Sequence, residues 1–252
     1  MERVILCVFE GEKTEHRFFN SLQLNYFAEN EVIQSSYGNN LYHLYQEMVN
    51  DDGQDFVEIL RESQTVKANA SLLAPFDRED ISEVYLFFDM EPHDTQFDPN
   101  TLNLLLTHFC DENDHGKIFI SYPMVEAIRD MPKQGDFLDV TIEIADCAQY
   151  KRISSQRSKF EFQDYRKLDK TRWQVLIIAN FAKANYIALD ETNRPYVDVS
   201  QEDILIGQNK KYIQPYNKVA VLSAFPLFIV HFFGADVVAS FAKNQSVTRH
   251  PQ

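Results

Sequence analysis

Three short apolar runs punctuate the first half of the chain, and each runs into acid. "VILCVF" (4–9) stops at Glu10, "EVYLFF" (83–88) stops at Asp89-Met90-Glu91, and "KIFIS" (117–121) is followed by "YPMVE", which ends in Glu126. Continuous apolar runs of this length suit strands whose sheet is covered on both faces. Between them the spacing switches to three and four: Phe18, Phe19, Leu22 and Tyr26 mark a helix over 14–28, and Leu102 to Phe109 another. A strand over 31–35 and helices over 40–50 and 55–73, parted by Asp51-Asp52-Gly53, complete the rhythm. Strand–helix alternation through 3–130 predicts an α/β fold with a doubly wound, mainly parallel sheet.

After 130 the rhythm changes. The pattern predicts helix over 137–147, a strong helix over 172–188, an extended excursion over 195–207, and an apolar, mostly helical end over 215–241. Residues 131–252 are therefore expected to form a mostly helical extension, with a basic insertion at about 149–172, packed on residues 1–130 as one globular unit. The longest apolar stretch, 219–239, is broken by Pro226, His231, Gly234 and Asp236, which points to a buried helix and not a membrane span. Met1-Glu2-Arg3 carries no signal-peptide pattern, and the three widely spaced cysteines, Cys7, Cys110 and Cys147, read as reduced, buried thiols. A cytoplasmic protein is expected.

The net charge of −14 argues against wholesale nucleic-acid binding, because phosphate contacts need cations. The charge is uneven, however. Lys151, Arg152, Arg157, Lys159, Arg166, Lys167, Lys170 and Arg172 fall in one window with only Glu161, Asp164 and Asp169 against them. Phe160, Phe162 and Tyr165 lie among these cations, the mixture that stacks bases and neutralises backbone in single-stranded nucleic acid. A solvated loop and a docking surface for an acidic partner protein are the competing readings.

In open parallel sheets the ligand lies beyond the carboxyl ends of the strands. Glu10, Asp89, Glu91 and Glu126 are all predicted at or near that edge. Converging carboxylates repel by several kcal/mol unless a cation offsets them. Hard oxygen donors in an open cluster suit Mg²⁺ or Mn²⁺. Asp89 and Glu91 would point to one side of a continuing strand, and Glu10 would add a ligand or act as general acid or base. Lys13 would offer charge to a transferring phosphate; balancing Glu12 and Glu15 is its plainer role. Asp94, beside the pair, offers an outer ligand; a loop acid facing water is its plainer reading. Gly11-Glu12-Lys13-Thr14 is not a P-loop, because Glu12 stands where the second glycine belongs and Cys7 where the first does.

A strand ending in Glu-Gly, a helix, and a later strand ending in acid-x-acid resembles the TOPRIM domain of topoisomerases, primases and related nucleases. "FEGEKTE" within "EGEKTEHRFF" is most similar to the small antiphage TOPRIM proteins, the RloB-like family and the AriB effector of the PARIS system. The likeness covers about residues 3–130. It places Glu10 as the first-motif glutamate and Asp89 and Glu91 as the second-motif acids, Glu91 departing from the usual Asp. Pro123 and Glu126 are similar to a downstream proline–glutamate pair. The resemblance implies a Mg²⁺-dependent endonuclease in abortive infection, RNA such as tRNA as target, a homodimer, and control by an ABC-type ATPase. The alternative is a catalytically weak TOPRIM-like subunit that binds or regulates such an ATPase.

Overall fold

The structure, a computed structural model, describes residues 4–27, 31–50, 55–192, 196–238 and 240–241. The chain separates into two compact units, Met1–Ile120 and Ser121–Gln252, a division that falls ahead of the expected boundary at 130.

The first unit is α/β. Its elements are β1 (Val4–Phe9), α1 (Thr14–Tyr26), β2 (Glu31–Ser36), α2 (Leu41–Asn50), α3 (Phe56–Glu62), α4 (Ala68–Leu73), β3 (Ile81–Asp89), α5 (Pro99–His108), β4 (Cys110–Asp111) and β5 (Gly116–Ser121). The five strands run in the order β2-β1-β3-β5-β4. β1 is parallel to both β2 and β3, and the two-residue β4, which the apolar pattern does not announce, is antiparallel to its neighbour β5.

Aromatic side chains show why the strands are apolar on both parities. Phe9 and Phe87, paired across β1 and β3, meet Phe19 of α1 at centroid distances of 5.1 and 5.8 Å. Phe119 of β5 continues this layer, 5.9 Å from Phe87. Phe88 alternates to the opposite face and meets Tyr37 at 5.6 Å; Tyr37 touches Phe56 of α3, which touches Phe109 after α5. Helices thus cover both faces, as right-handed crossovers on either side of β1 require.

The helix expected over 55–73 is two helices. Asp55 caps α3 by accepting the Val57 N–H at 2.8 Å, and after α3 ends the Ser63 hydroxyl accepts from Val66 N–H at 3.2 Å, turning the chain before α4. The Asp51-Asp52-Gly53 breaker lies outside the described residues.

The second unit holds β6 (Thr141–Glu143), α6 (Tyr150–Arg157), α7 (Phe160–Gln163), α8 (Lys170–Leu189), α9 (Gln201–Gln208), α10 (Gln214–Tyr216), β7 (Lys218–Ala220) and α11 (Ala224–Phe233). The expected helix over 137–147 is replaced by two 3₁₀ turns flanking β6, which pairs antiparallel with β7. The expected extended excursion is extended only to Ser200, whose hydroxyl accepts the Asp203 N–H at 3.0 Å and starts α9; Pro195 lies outside the described residues. α8 forms the core with Trp173, Leu176, Ile177, Phe181 and Ile187, all buried. α9 approaches it so closely that a Cβ on Gly207 would lie 2.1 Å from the Ile187 carbonyl oxygen, so only glycine fits.

Two buried charged side chains in this unit are matched. Asp130, fully buried, accepts from the Tyr150 hydroxyl at 2.7 Å and from Arg157 through both Nε and Nη2. Lys183, also fully buried, donates to the carbonyls of Phe137 and Val140 at 2.8 and 2.6 Å, and burial pulls its pKa down to about 7. Cys7 and Cys147 are buried thiols as expected, but Cys110 is exposed. Among the described residues no helix is long and apolar enough to cross a membrane.

Candidate active site

In the first unit the chain leaves β1 for β2 on one side and returns to β3 on the other. The carboxyl ends of β1 and β3 therefore flank the point where the winding reverses, the place where such sheets bind ligands. Glu10 and Asp89 stand there. The backbone of Glu10 is fixed on both sides: its N–H donates to Phe87 O at 3.0 Å, and its carbonyl accepts from Gly38 N–H at 2.9 Å. Its side chain then reaches across to β3, where Oε2 accepts the Asp89 N–H at 2.9 Å. The two strand ends are thus joined by the Glu10 side chain and the Asp89 backbone amide.

More carboxylates surround this contact than the sequence reading assigned. Burial, the largest cause, pushes the Glu10 carboxyl up to about 8; the Asp89 N–H opposes this, while the charges of Glu91, Glu15 and Asp94 add to it. Glu91 is likewise raised, by burial first, with His93 opposing and Asp94 reinforcing. Among the described residues no lysine or arginine forms an ion pair with Glu10, Glu91 or Asp94. Tyr42 closes the site from α2, its hydroxyl donating to Met90 O at 2.8 Å, and burial followed by the same acids drives its phenol pKa upward.

Glu15 is the addition, and Asp94, named above beside the pair, contributes its charge too. Glu15 is buried in the first turn of α1, and its carboxylate lies over Gly11: a Cβ there would be 3.0 Å from Oε2. The sequence signal was present, an acid at a helix N-terminus one turn after a Gly, where the helix dipole favours negative charge. Asp94 is half-buried and held by Gln96 N–H at 2.7 Å, with Asn40 Nδ2 at 3.4 Å.

The expected pleat relation between Asp89 and Glu91 does not hold. β3 ends at Asp89, Met90 is fully buried, and Glu91 adopts φ 44°, in the left-handed region. A non-glycine residue there costs about 1 kcal/mol, and such residues gather at functional sites. Glu91 reaches the cluster through a turn and not along a strand.

Lys13 is exposed at the start of α1. Glu126 belongs to the second unit, where it is buried with Lys151 Nζ 3.6 Å from its carboxylate. The basic window is helical, and its cations differ in their commitments. Arg157 is committed largely to buried Asp130: Nε and Nη2 donate to that carboxylate and Nη1 to Thr141 O. Arg166 is chelated by Asp164 at 2.9 Å, and Arg152 reaches Gln149. Lys167 lies 3.9 Å from the ring centroid of Phe160, a ring 72% exposed, and Lys159 beside it is exposed.

Among the described residues no set of three or more His, Cys, Asp or Glu side chains is closed into a metal cage. The donors nonetheless fit a hard divalent ion in their chemistry: oxygens only, partly buried, with mutual repulsion that raises proton affinity and that a cation would relieve. No protein-family model matches the chain, and neither a curated protein nor a solved structure was found to be significantly similar to it.

Proposed function

We propose that the chain is a divalent-metal-dependent nuclease of the TOPRIM type, acting as a toxic effector in antiphage defence. The observation that carries this reading is the Glu10–Asp89 contact at the reversal point of the sheet, with Glu91 and Asp94 close enough to perturb Glu10. Glu10, Asp89 and Glu91 would hold Mg²⁺ or Mn²⁺. Bound there, the ion would polarise a phosphoryl oxygen and acidify a water.

The chain's own groups have separate tasks. The Asp89 N–H fixes one oxygen of Glu10, leaving the other to exchange a proton with the reacting water or leaving group. Lys13 supplies positive charge at the start of α1, where the helix N-terminus also favours phosphate. In the second unit, exposed Phe160 under Lys167, with Lys159 and Arg166 nearby in sequence, offers stacking and backbone neutralisation to single-stranded or looped RNA such as tRNA. Cytoplasmic location, homodimerisation and control by an ABC-type ATPase belong to the same reading.

A second reading, a catalytically weak TOPRIM-like subunit that regulates an ATPase, draws on one observation: the carboxylates are not closed into a three-ligand cage. Induced expression in bacterial cells separates the two. Growth arrest with fragmented RNA, abolished by Glu10→Ala or Asp89→Ala at equal protein level, is expected of the nuclease. Toxicity undiminished by both substitutions would favour the binding subunit.

A further inference from the structure

Beside the carboxyl end of β2 lies a cavity of about 310 Å³, lined among others by Tyr37, Asn39, His43, Glu47, Glu62 and Gln64. Its floor is sewn to the candidate active site: Tyr37 N–H donates to Phe9 O at 2.7 Å, and Gly38 N–H to Glu10 O at 2.9 Å. A nucleotide flanking one bound at Glu10 would find this cavity at the same edge of the sheet.

The polar groups of the cavity are oriented. The Tyr37 ring is buried between Phe56 and Phe88, and its hydroxyl donates to Glu47 Oε2 at 2.5 Å. The phenol has one proton, so with Glu47 ionised the 2.8 Å contact with His43 Nδ1 is a bond that the imidazole donates. The same His43 nitrogen lies 3.8 Å from Glu47 Oε1. Asn39 spends its oxygen on Asn40 N–H at 3.0 Å, which leaves its NH₂ a donor. Gln64 gives only a long bond, 3.3 Å, to the Glu62 carbonyl. Among the described residues no lysine or arginine lines the cavity, which does not favour a phosphate.

An ionised carboxylate held in place and amide donors complement one base above the others. Guanine presents N1–H and N2–H₂ as two adjacent donors and O6 as an acceptor. Adenine N1 and cytosine N3 are acceptors and would face the carboxylate with like polarity, and uracil offers the single donor N3–H where guanine offers two. We propose that this cavity takes the guanine base of an unpaired RNA nucleotide, Glu47 accepting from N1–H and N2–H₂ and the amide of Asn39 or Gln64 donating to O6. The inference rests on the proposed nuclease reading for placing RNA at this edge. Base recognition itself is read without cleavage.

The test is calorimetric titration of the full chain, in EDTA, with guanosine, adenosine, cytidine and methylguanidinium. Guanosine is expected to bind about tenfold or more tighter than the other three, as one bidentate base contact provides. Glu47→Gln keeps an oxygen for the Tyr37 hydroxyl but is expected to lose about tenfold in guanosine affinity. Glu10→Gln is expected to bind guanosine as the parent does. Equal binding of adenosine or methylguanidinium, or undiminished guanosine binding by Glu47→Gln, would overturn the proposal. Guanosine binding without RNA cleavage would uphold the cavity and count against the nuclease. RNA cleavage without guanosine binding would do the reverse.

Discussion

Replacing Glu10 by glutamine is expected to stabilise the metal-free protein at alkaline pH while removing its proposed chemistry. Burial and the charges of Glu91, Glu15 and Asp94 lift the Glu10 carboxyl from 4.5 to about 8 in the folded chain. Unfolded, it titrates at the ordinary glutamate value. The folded state thus holds the proton more tightly, so the stabilisation is complete below 4.5 and is lost as pH rises through about 8. At about 1.4 kcal/mol per tenfold, that interval sets a ceiling of ~5 kcal/mol. Glu91 and Asp94 are partly exposed, and water screening of their share brings the expectation to about 2–3 kcal/mol. Glutamine retains an oxygen for the Asp89 N–H and carries no charge at any pH. The assay is paired thermal melts of parent and Glu10→Gln in EDTA, on either side of the interval. Equal stability is expected on the acid side. On the alkaline side the variant should melt ~4–12 °C higher, at ~2–4 °C per kcal/mol for a chain of this size. An alkaline melting point at or below the parent's would refute the electrostatic argument.

Three further outcomes follow from the same structure. Magnesium chloride should stabilise the parent at alkaline pH, by ~2.7 kcal/mol at a hundredfold excess over Kd, and so raise its melting point, while leaving Asp89→Asn unmoved; an equal rise in both would place the ion elsewhere. Asp130→Ala strands the partly buried Arg157 and should cost about 3–5 kcal/mol in urea unfolding, part of it recovered by adding Arg157→Met. Gly207→Ala drives a Cβ into the Ile187 carbonyl, and a loss of about 1–3 kcal/mol is expected from the forced separation of α8 and α9; a neutral result would contradict that close approach.

The parallel sheet was legible because its strands are buried on both faces. Leu6, Val8, Leu86 and Ile120 are fully buried, and no polar residue interrupts the runs that contain them. The second unit was less legible for a physical reason. β6 and β7 are three residues each, and what makes them strands is their pairing, between segments more than seventy positions apart in "TIE" at 141 and "KVA" at 218. Glu10 and Asp89 could be read from the ends of apolar runs. Glu91 could be named but not placed, because a strand-like extrapolation fails where the backbone turns left-handed. The basic window was legible as composition only. Which cations are engaged depends on partners such as Asp130, which lies far from Arg157 in sequence and accepts from two of its three nitrogens in the fold.

The most direct test is cleavage of end-labelled RNA by the purified full-length chain, with Mn²⁺ or with EDTA, beside Glu10→Gln and Asp89→Asn. Fragmentation that requires the metal and falls at least about a hundredfold in each variant is the result this account predicts. Fragmentation that persists in EDTA, or at parental rate in both variants, would contradict it.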